Sequence, residues 1–213
     1  MDTVPHAGDR SARFWDRTAD KYARRPMADD AAYRHKLEQT QKRLRPGMHR
    51  LETGCGTGST AIEQAAHVER IHATDFSQRM IEIGRDKARA AGVDTIEVET
   101  ASLADVASRG HRYDAVLALS VLHLVEDLDG ALADIHELVR PGGLFVSNTG
   151  CLADGMNWLR PILAVGRWFG KVPPVLVLHR ADLLQRMQDV GFEVEYEYRT
   201  GSGRVVFLVA RRQ

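Results

Sequence analysis

Cysteine is almost missing from this chain: Cys55 and Cys151 are the only two among 213 residues. Two thiols so far apart make neither a disulfide framework nor the paired CxxC spacing of a zinc site, and a reducing, cytoplasmic setting is the expectation. No charge of one sign dominates either. Lys and Arg number 29, as do Asp and Glu. A chain that grips nucleic-acid phosphates shows a basic excess or stripe, so the balance speaks against a nucleic-acid substrate. No run of about 18 apolar residues occurs, which rules out a membrane-spanning helix. Met1 to Phe14 mixes Asp2, Arg10 and Arg13 with polar residues and lacks the apolar stretch of a secretory signal. His67, His72, His111 and His136 show no ligand spacing, so no metal is expected. Internal repeats and low-complexity segments are absent too.

What is present reads as one ordinary α/β domain, with 44% apolar and 27% charged residues. Ser11 is a candidate cap for a first helical segment, in which Phe14, Trp15, Thr18 and Tyr22 recur at helical spacing until Pro26. A second helix is predicted from Asp30, as N-cap, to Leu44, before Arg45-Pro46-Gly47. Strand and helix then alternate. Strands are predicted at Met48–Thr53, Arg70–Asp75, Thr95–Thr100, Tyr113–Ser120 and Leu144–Asn148. Helices are predicted from the glycine cluster to Ala66, from Gln78 to Ala91, and from Leu128 to Val139. Such alternation implies right-handed crossovers and a mostly parallel sheet covered on both faces. The tail changes character: a helix from Ala181 to Val190, then Phe192–Tyr198 and Arg204–Ala210 as two strands around Thr200-Gly201-Ser202-Gly203. The expected fold is therefore Rossmann-like and doubly wound, with seven strands and an antiparallel C-terminal hairpin.

Chemistry concentrates at Gly54-Cys55-Gly56-Thr57-Gly58, between the first strand and the next helix. Glycines there let the backbone turn tightly and approach a ligand closely, although a plain connecting turn looks the same. Two carboxylates sharpen the reading. Asp75, about 20 residues on and ending the second strand, suits the two hydroxyls of a ribose. Glu52 precedes a GxGxG rather than a GxGxxG spacing. A carboxylate so placed would repel a diphosphate and welcome an ammonium and a sulfonium, which points away from nicotinamide dinucleotides and toward S-adenosylmethionine.

The segments LETGCGTGSTA, DFSQRM, YDAVLALSVLHL and LVRPGGLFV together resemble the class I S-adenosylmethionine-dependent methyltransferases, nearest to the ubiquinone/menaquinone-biosynthesis-like small-molecule group. The resemblance covers roughly residues 48–150. It implies that Gly54, Gly56 and Gly58, with Cys55 among them and Glu52 nearby, line the methionine part of the cofactor. Asp75 would hold the ribose, with Phe76 beside it and Met80 against the adenine. Ser102 and Leu103 would meet the adenine edge, and Leu119 and Ser120 the methionine side and the methyl. The chain departs from the family at Glu99-Thr100-Ala101, where Gly-Asp-Ala is usual. Tyr22, in an N-terminal segment that often closes over the cofactor in such enzymes, becomes a candidate beside plain helix packing.

Methyl transfer asks the protein mostly for position and desolvation, with a base only for acidic acceptors. His123, just past the fourth strand, is the leading titratable candidate, beside the plainer reading of local packing; Tyr33 is weaker. Cys55 reads as a small apolar filler, and nothing accompanies Cys151. The expected layout is an N-terminal helical cap (1–46), a cofactor-binding core (47–150), a substrate insert (151–179), and a C-terminal helix and hairpin (180–213). The insert, with Trp158, Trp168, Phe169, Arg160, Arg167 and Lys171, suits a lid, an apolar acceptor pocket or transient membrane contact. The expected activity is methylation of a small apolar or aromatic molecule. A lipid or isoprenoid quinone at a membrane surface, a non-catalytic S-adenosylmethionine-binding module and a nicotinamide oxidoreductase are the alternatives.

Overall fold

The computed structural model describes residues 7–26, 29–156, 175–201 and 203–213. Two helices open it, α1 (Ala7–Ala23) and α2 (Asp30–Gln41). Alternation follows: β1 (His49–Thr53), α3 (Ser59–Gln64), β2 (Arg70–Asp75), α4 (Gln78–Ala90), β3 (Ile96–Thr100), α5 (Leu103–Ser108), β4 (Tyr113–Leu119), α6 (Leu128–Leu138) and β5 (Val139–Gly150). A single turn, α7 (Ala153–Met156), comes next. The described chain resumes before α8 (Arg180–Asp189), β6 (Phe192–Arg199) and β7 (Val205–Arg212). Most of the expected insert, including Trp158, Trp168 and Phe169, lies outside the described residues.

The seven strands form one sheet in the order β3-β2-β1-β4-β5-β7-β6. β1 to β5 are mutually parallel. β7 runs antiparallel to both β5 and β6, giving the C-terminal hairpin. β4 shows why its sequence is apolar without alternation. Val116 and Ala118 pack with Leu132 and Ile135 of α6 and Leu183 of α8, while Ala115 and Leu117 pack on the other face with Ala61 of α3 and Phe207. A central parallel strand has no wet side. Neighbouring β1 and β4 send their connections to opposite halves of the sheet, and a crevice opens at the carboxyl ends where the order reverses.

Several local expectations are corrected. α1 begins at Ala7, so Ser11 lies inside it rather than capping it. The cap of α2 is Asp29, whose carboxylate accepts from the Ala32 amide, and Asp30 pairs with Arg34 instead. That helix stops at Gln41. The helix after the glycines ends at Gln64 and tightens into a 3-10 turn, Ala65–His67. α5 was not foreseen: Ser102 and Asp105 form a reciprocal capping box, a signal legible in Ser102-Leu103-Ala104-Asp105. β5 starts at Val139 because that residue pairs with Tyr113 before the register shifts to Ala115 and Leu144.

Candidate functional site

The glycine loop follows β1. Gly54, Gly56 and Gly58 all take left-handed backbone angles, with φ of 62°, 55° and 70°. At Gly54 space is closed as well: a Cβ there would sit 2.4 Å from Cγ2 of Val121. The Cys55 amide donates to the Thr74 carbonyl (2.9 Å), tying the loop to β2. At the end of β2, the Asp75 carboxylate accepts from the amides of Gly56 (3.0 Å, Oδ2) and Ser77 (2.9 Å, Oδ1). Each oxygen has a second acceptor position, so the carboxylate is fixed yet retains capacity for two more donors. Burial raises its pKa above the usual carboxylate value, opposed by those two amides.

A cavity of about 360 Å3 lies over this loop. Gly54, Gly56, Asp75, Phe76 and Met80 form one side; Leu119, Ser120, Val121, His123 and Leu124 form another, and Trp15 and Tyr22 of α1 close it. Tyr22 stands edge-on to Trp15, and its ring lies 3.5 Å from where a Gly56 Cβ would be. Tyr22 and Phe76 remain 46% and 40% exposed, so both rings offer face area that a ligand would cover. Met80 is buried beneath them. α1 is seated by Asp16, which accepts from the Ser77 hydroxyl (2.6 Å) and the Arg79 amide (3.1 Å), and by Asp20 paired with Arg79 (2.8 Å).

A smaller cavity, about 170 Å3, continues behind the loop. Tyr22, Gly54, Leu119 and Ser120 border both. Glu52 lines it, but its charge is already engaged: Arg50, on the same face of β1, donates to it at 3.0 Å. Arg50 also donates to Gln64 (2.5 Å), and both members of the ion pair are buried. Burial raises the Glu52 pKa, with Arg50 opposing. Arg50 thus offsets the charge of Glu52 from within the fold. The signal was the i, i+2 pairing of Arg50 and Glu52 on a strand otherwise buried.

Residues 51–143 match the family described as methyltransferase domain. The likeness takes in the glycine loop, Asp75 and β4, and the chain is similar to methyltransferases of known name as well. It is 28% identical over 116 residues to a demethylmenaquinone methyltransferase of Symbiobacterium thermophilum, covering 53% of this chain and 46% of that one. It is 35% identical over 103 residues to a ubiquinone biosynthesis O-methyltransferase of Methylocella silvestris, covering 48% and 40%. The chain thus spans less than half the length of these curated relatives. Among solved structures, the geranyl diphosphate C-methyltransferase of Streptomyces coelicolor, crystallised with Mg2+, geranyl diphosphate and S-adenosyl-L-homocysteine, superposes over 100% of both chains with a TM-score of 0.75 at 15% identity.

The fold brings most of the expected residues to one place, while Gly58, Ser102 and Leu103 line neither of these two cavities. Ser102 spends its hydroxyl and amide on Asp105, and Leu103 packs into the core. The loop after β3 turns at once into α5. Cys55 borders the smaller cavity and packs on the core, and burial raises its thiol pKa well above the ordinary value. Tyr33 also lines the smaller cavity, its hydroxyl 3.4 Å from that of Thr60, and burial pushes it up to about 12. His123 receives the Gly150 amide at Nδ1 (3.4 Å), and burial lowers its pKa. With Nδ1 accepting, a neutral ring carries its proton on Nε2.

A larger depression, about 640 Å3, opens at the opposite end of the strands. His72, Glu97 and Glu99 converge near it, a grouping built across β2 and β3 that sequence spacing does not show. His72 is satisfied between the Tyr113 hydroxyl (2.7 Å) and Glu99 (2.8 Å). Arg109 grips both oxygens of Glu99 and, with His72, holds its pKa down to about 2. The network is an internally compensated brace at the edge of the sheet.

Proposed function

We propose that this domain binds S-adenosylmethionine and transfers its methyl to a small apolar or aromatic acceptor. The observation that carries the reading is the joining of Asp75, the left-handed glycines and an apolar wall around one crevice. The donor set suits the cofactor. Asp75 has acceptor capacity for a ribose diol, Phe76 and Met80 offer apolar area for a base, and the cavity walls carry more carboxylates than cations. When bound, the cofactor supplies an electrophilic methyl on a sulfonium. The chain's own task is then to hold the acceptor in line at about 3 to 3.5 Å and to exclude water. Val121, Leu124 and Val125, facing Trp15 across the cavity, supply that apolar enclosure. His123 offers an Nε2–H to an acceptor oxygen; acting as a base would cost it the Gly150 bond or the opposite tautomer.

Calorimetry on the purified protein tests the cofactor half. Binding of S-adenosylmethionine or S-adenosylhomocysteine is expected, with marked weakening in Asp75→Ala; no binding to the folded protein would sink the reading. A search for methylated products in extract supplied with isotopically labelled cofactor tests the acceptor half. Binding without any turnover would favour the non-catalytic module. The curated relatives' names favour a second acceptor class, a quinone or other isoprenoid lipid collected at a membrane surface. Co-sedimentation with liposomes, lost when Trp158, Trp168 and Phe169 are all Ala, is the outcome that reading requires.

A further inference from the structure

α1 closes the larger cavity with one side and docks on α4 with another, and between them it carries a row of cations. Arg13, Arg17 and Lys21 stand at successive i, i+4 positions, within about 80° of the helix circumference, and Arg24 continues the row past its end. We propose that this row is a docking face for a bilayer of anionic lipid, set beside the cavity mouth. The face is argued from α1 itself; its use, passing an apolar acceptor from lipid to cavity, rests on the function proposed above.

All four side chains are exposed. Among the described residues none of the four is ion-paired; Arg24 donates to the Asp20 carbonyl (3.1 Å), not to a carboxylate. Asp16 and Asp20 of the same helix are engaged elsewhere, the first with the Ser77 hydroxyl and the Arg79 amide, the second with the Arg79 side chain. Those contacts fix which way the row faces. From its first cation to its last the row is about 17 Å long. The chain has as many acids as bases, 29 each, so four unpaired cations on one face are a local concentration and not a share of a general excess. The pull of an anionic surface fades within a Debye length, about 8 Å at physiological salt, so cations act together only when one face presents them at once.

Beside the row, Phe14 meets Trp15 edge-on (5.3 Å), and Trp15 and Tyr22 belong to the cavity wall. Tyr22 and Phe76, the exposed large apolar side chains among the described residues, both stand at this cavity. Cations flanked by aromatic rings on one helix suit a headgroup layer, where the charges meet phosphates and the rings meet the acyl boundary. An acidic peptide or a nucleic-acid backbone would answer the cations and leave the apolar opening unused. A bilayer answers both, and it holds apolar molecules beside a cavity walled by Val121, Leu124 and Val125.

Co-sedimentation of the full chain, without cofactor, tests the face. Its probes are vesicles of phosphatidylcholine alone and of phosphatidylcholine with phosphatidylglycerol in roughly equal parts. Binding is expected to the anionic vesicles only, and to fall as salt rises. Arg17→Gln with Lys21→Gln should weaken it about 10- to 100-fold, while leaving the melting temperature and the affinity for S-adenosylhomocysteine unchanged. Arg70→Gln with Arg89→Gln removes the same charge from exposed positions outside α1 and should bind like wild type. No binding by wild type, no weakening in the α1 variant, or equal weakening in both variants overturns the proposal. So does wild-type binding to transfer RNA as tight as to the anionic vesicles at the same salt, which would assign the row to polyanions at large. Should the α1 variant fail to fold, the wild-type comparison of lipid with RNA still judges. A failure here leaves the cofactor reading standing, because calorimetry tests that without lipid; loss of cofactor binding likewise leaves the docking face standing.

Discussion

At Gly54 two separate constraints coincide, a left-handed φ and a Val121 methyl standing where a side chain would begin. Gly54→Ala is expected to lose roughly 1–3 kcal/mol of stability from backbone strain alone, before the clash is counted. Thermal unfolding would show it, and Val121→Ala should restore only the steric part. Asp75 makes a different prediction, about pH. Burial raises its folded-state pKa, so its effect on stability favours the folded state below the unfolded pKa and is lost as pH rises through the folded value. Affinity for the nucleoside runs the other way, because the hydroxyls need the ionised acceptor. Binding of S-adenosylhomocysteine should therefore weaken as pH falls through that raised pKa. In Asp75→Asn it should be weaker by about 10- to 100-fold and flat over the same range, by calorimetry at several pH values. The sequence marked Gly54 and Asp75 because turn glycines and a strand-ending acid leave a local trace. It did not mark Arg50, whose meaning depends on what lies across the fold from it.

α1 reaches the described core chiefly through α4, by a few charges at that helix's start. Asp16 meets the Ser77 hydroxyl and Arg79 amide, and Asp20 meets the Arg79 side chain, while Trp15 and Tyr22 of the same helix cover the cavity. Exposed ion pairs are screened by salt. Arg79→Ala, or higher ionic strength in wild type, should speed S-adenosylhomocysteine release measured by stopped flow, with little change in the melting temperature. An unchanged release rate would show that these contacts do not gate the cavity. The helical spacing of Phe14, Trp15, Thr18 and Tyr22 gave away the helix. Its docking partner was invisible, since an aspartate 61 residues from its serine leaves no pattern.

The molecule as a whole leans on two long-range devices. β7 lies between β5 and β6, so the last strand in sequence is an interior strand of the sheet, with Val206 to Ala210 fully buried. Removing residues 192–213 should abolish cooperative unfolding, as followed by circular dichroism, because it strips one whole edge from both core layers. The second device is Arg50. It joins Glu52 on β1 to Gln64 on α3, which in turn holds α2 through the Leu37 carbonyl. Arg50→Met is expected to cost roughly 3–5 kcal/mol by leaving Glu52 buried without its counter-charge. Denaturant titration would measure this, and changing Glu52 to Gln in the same chain should recover part of it.

The order of elements, the parallel core, the glycine turn and the acid at 75 were determined by the sequence itself. Each rests on a local regularity: apolar runs, strand-to-helix alternation, and backbone angles only glycine adopts cheaply. The tertiary structure alone decided that Arg50 offsets the charge of Glu52 and that Ser102 caps α5. Those outcomes belong to pairs and triads joined through space, and electrostatics and packing act over ångströms rather than along the chain.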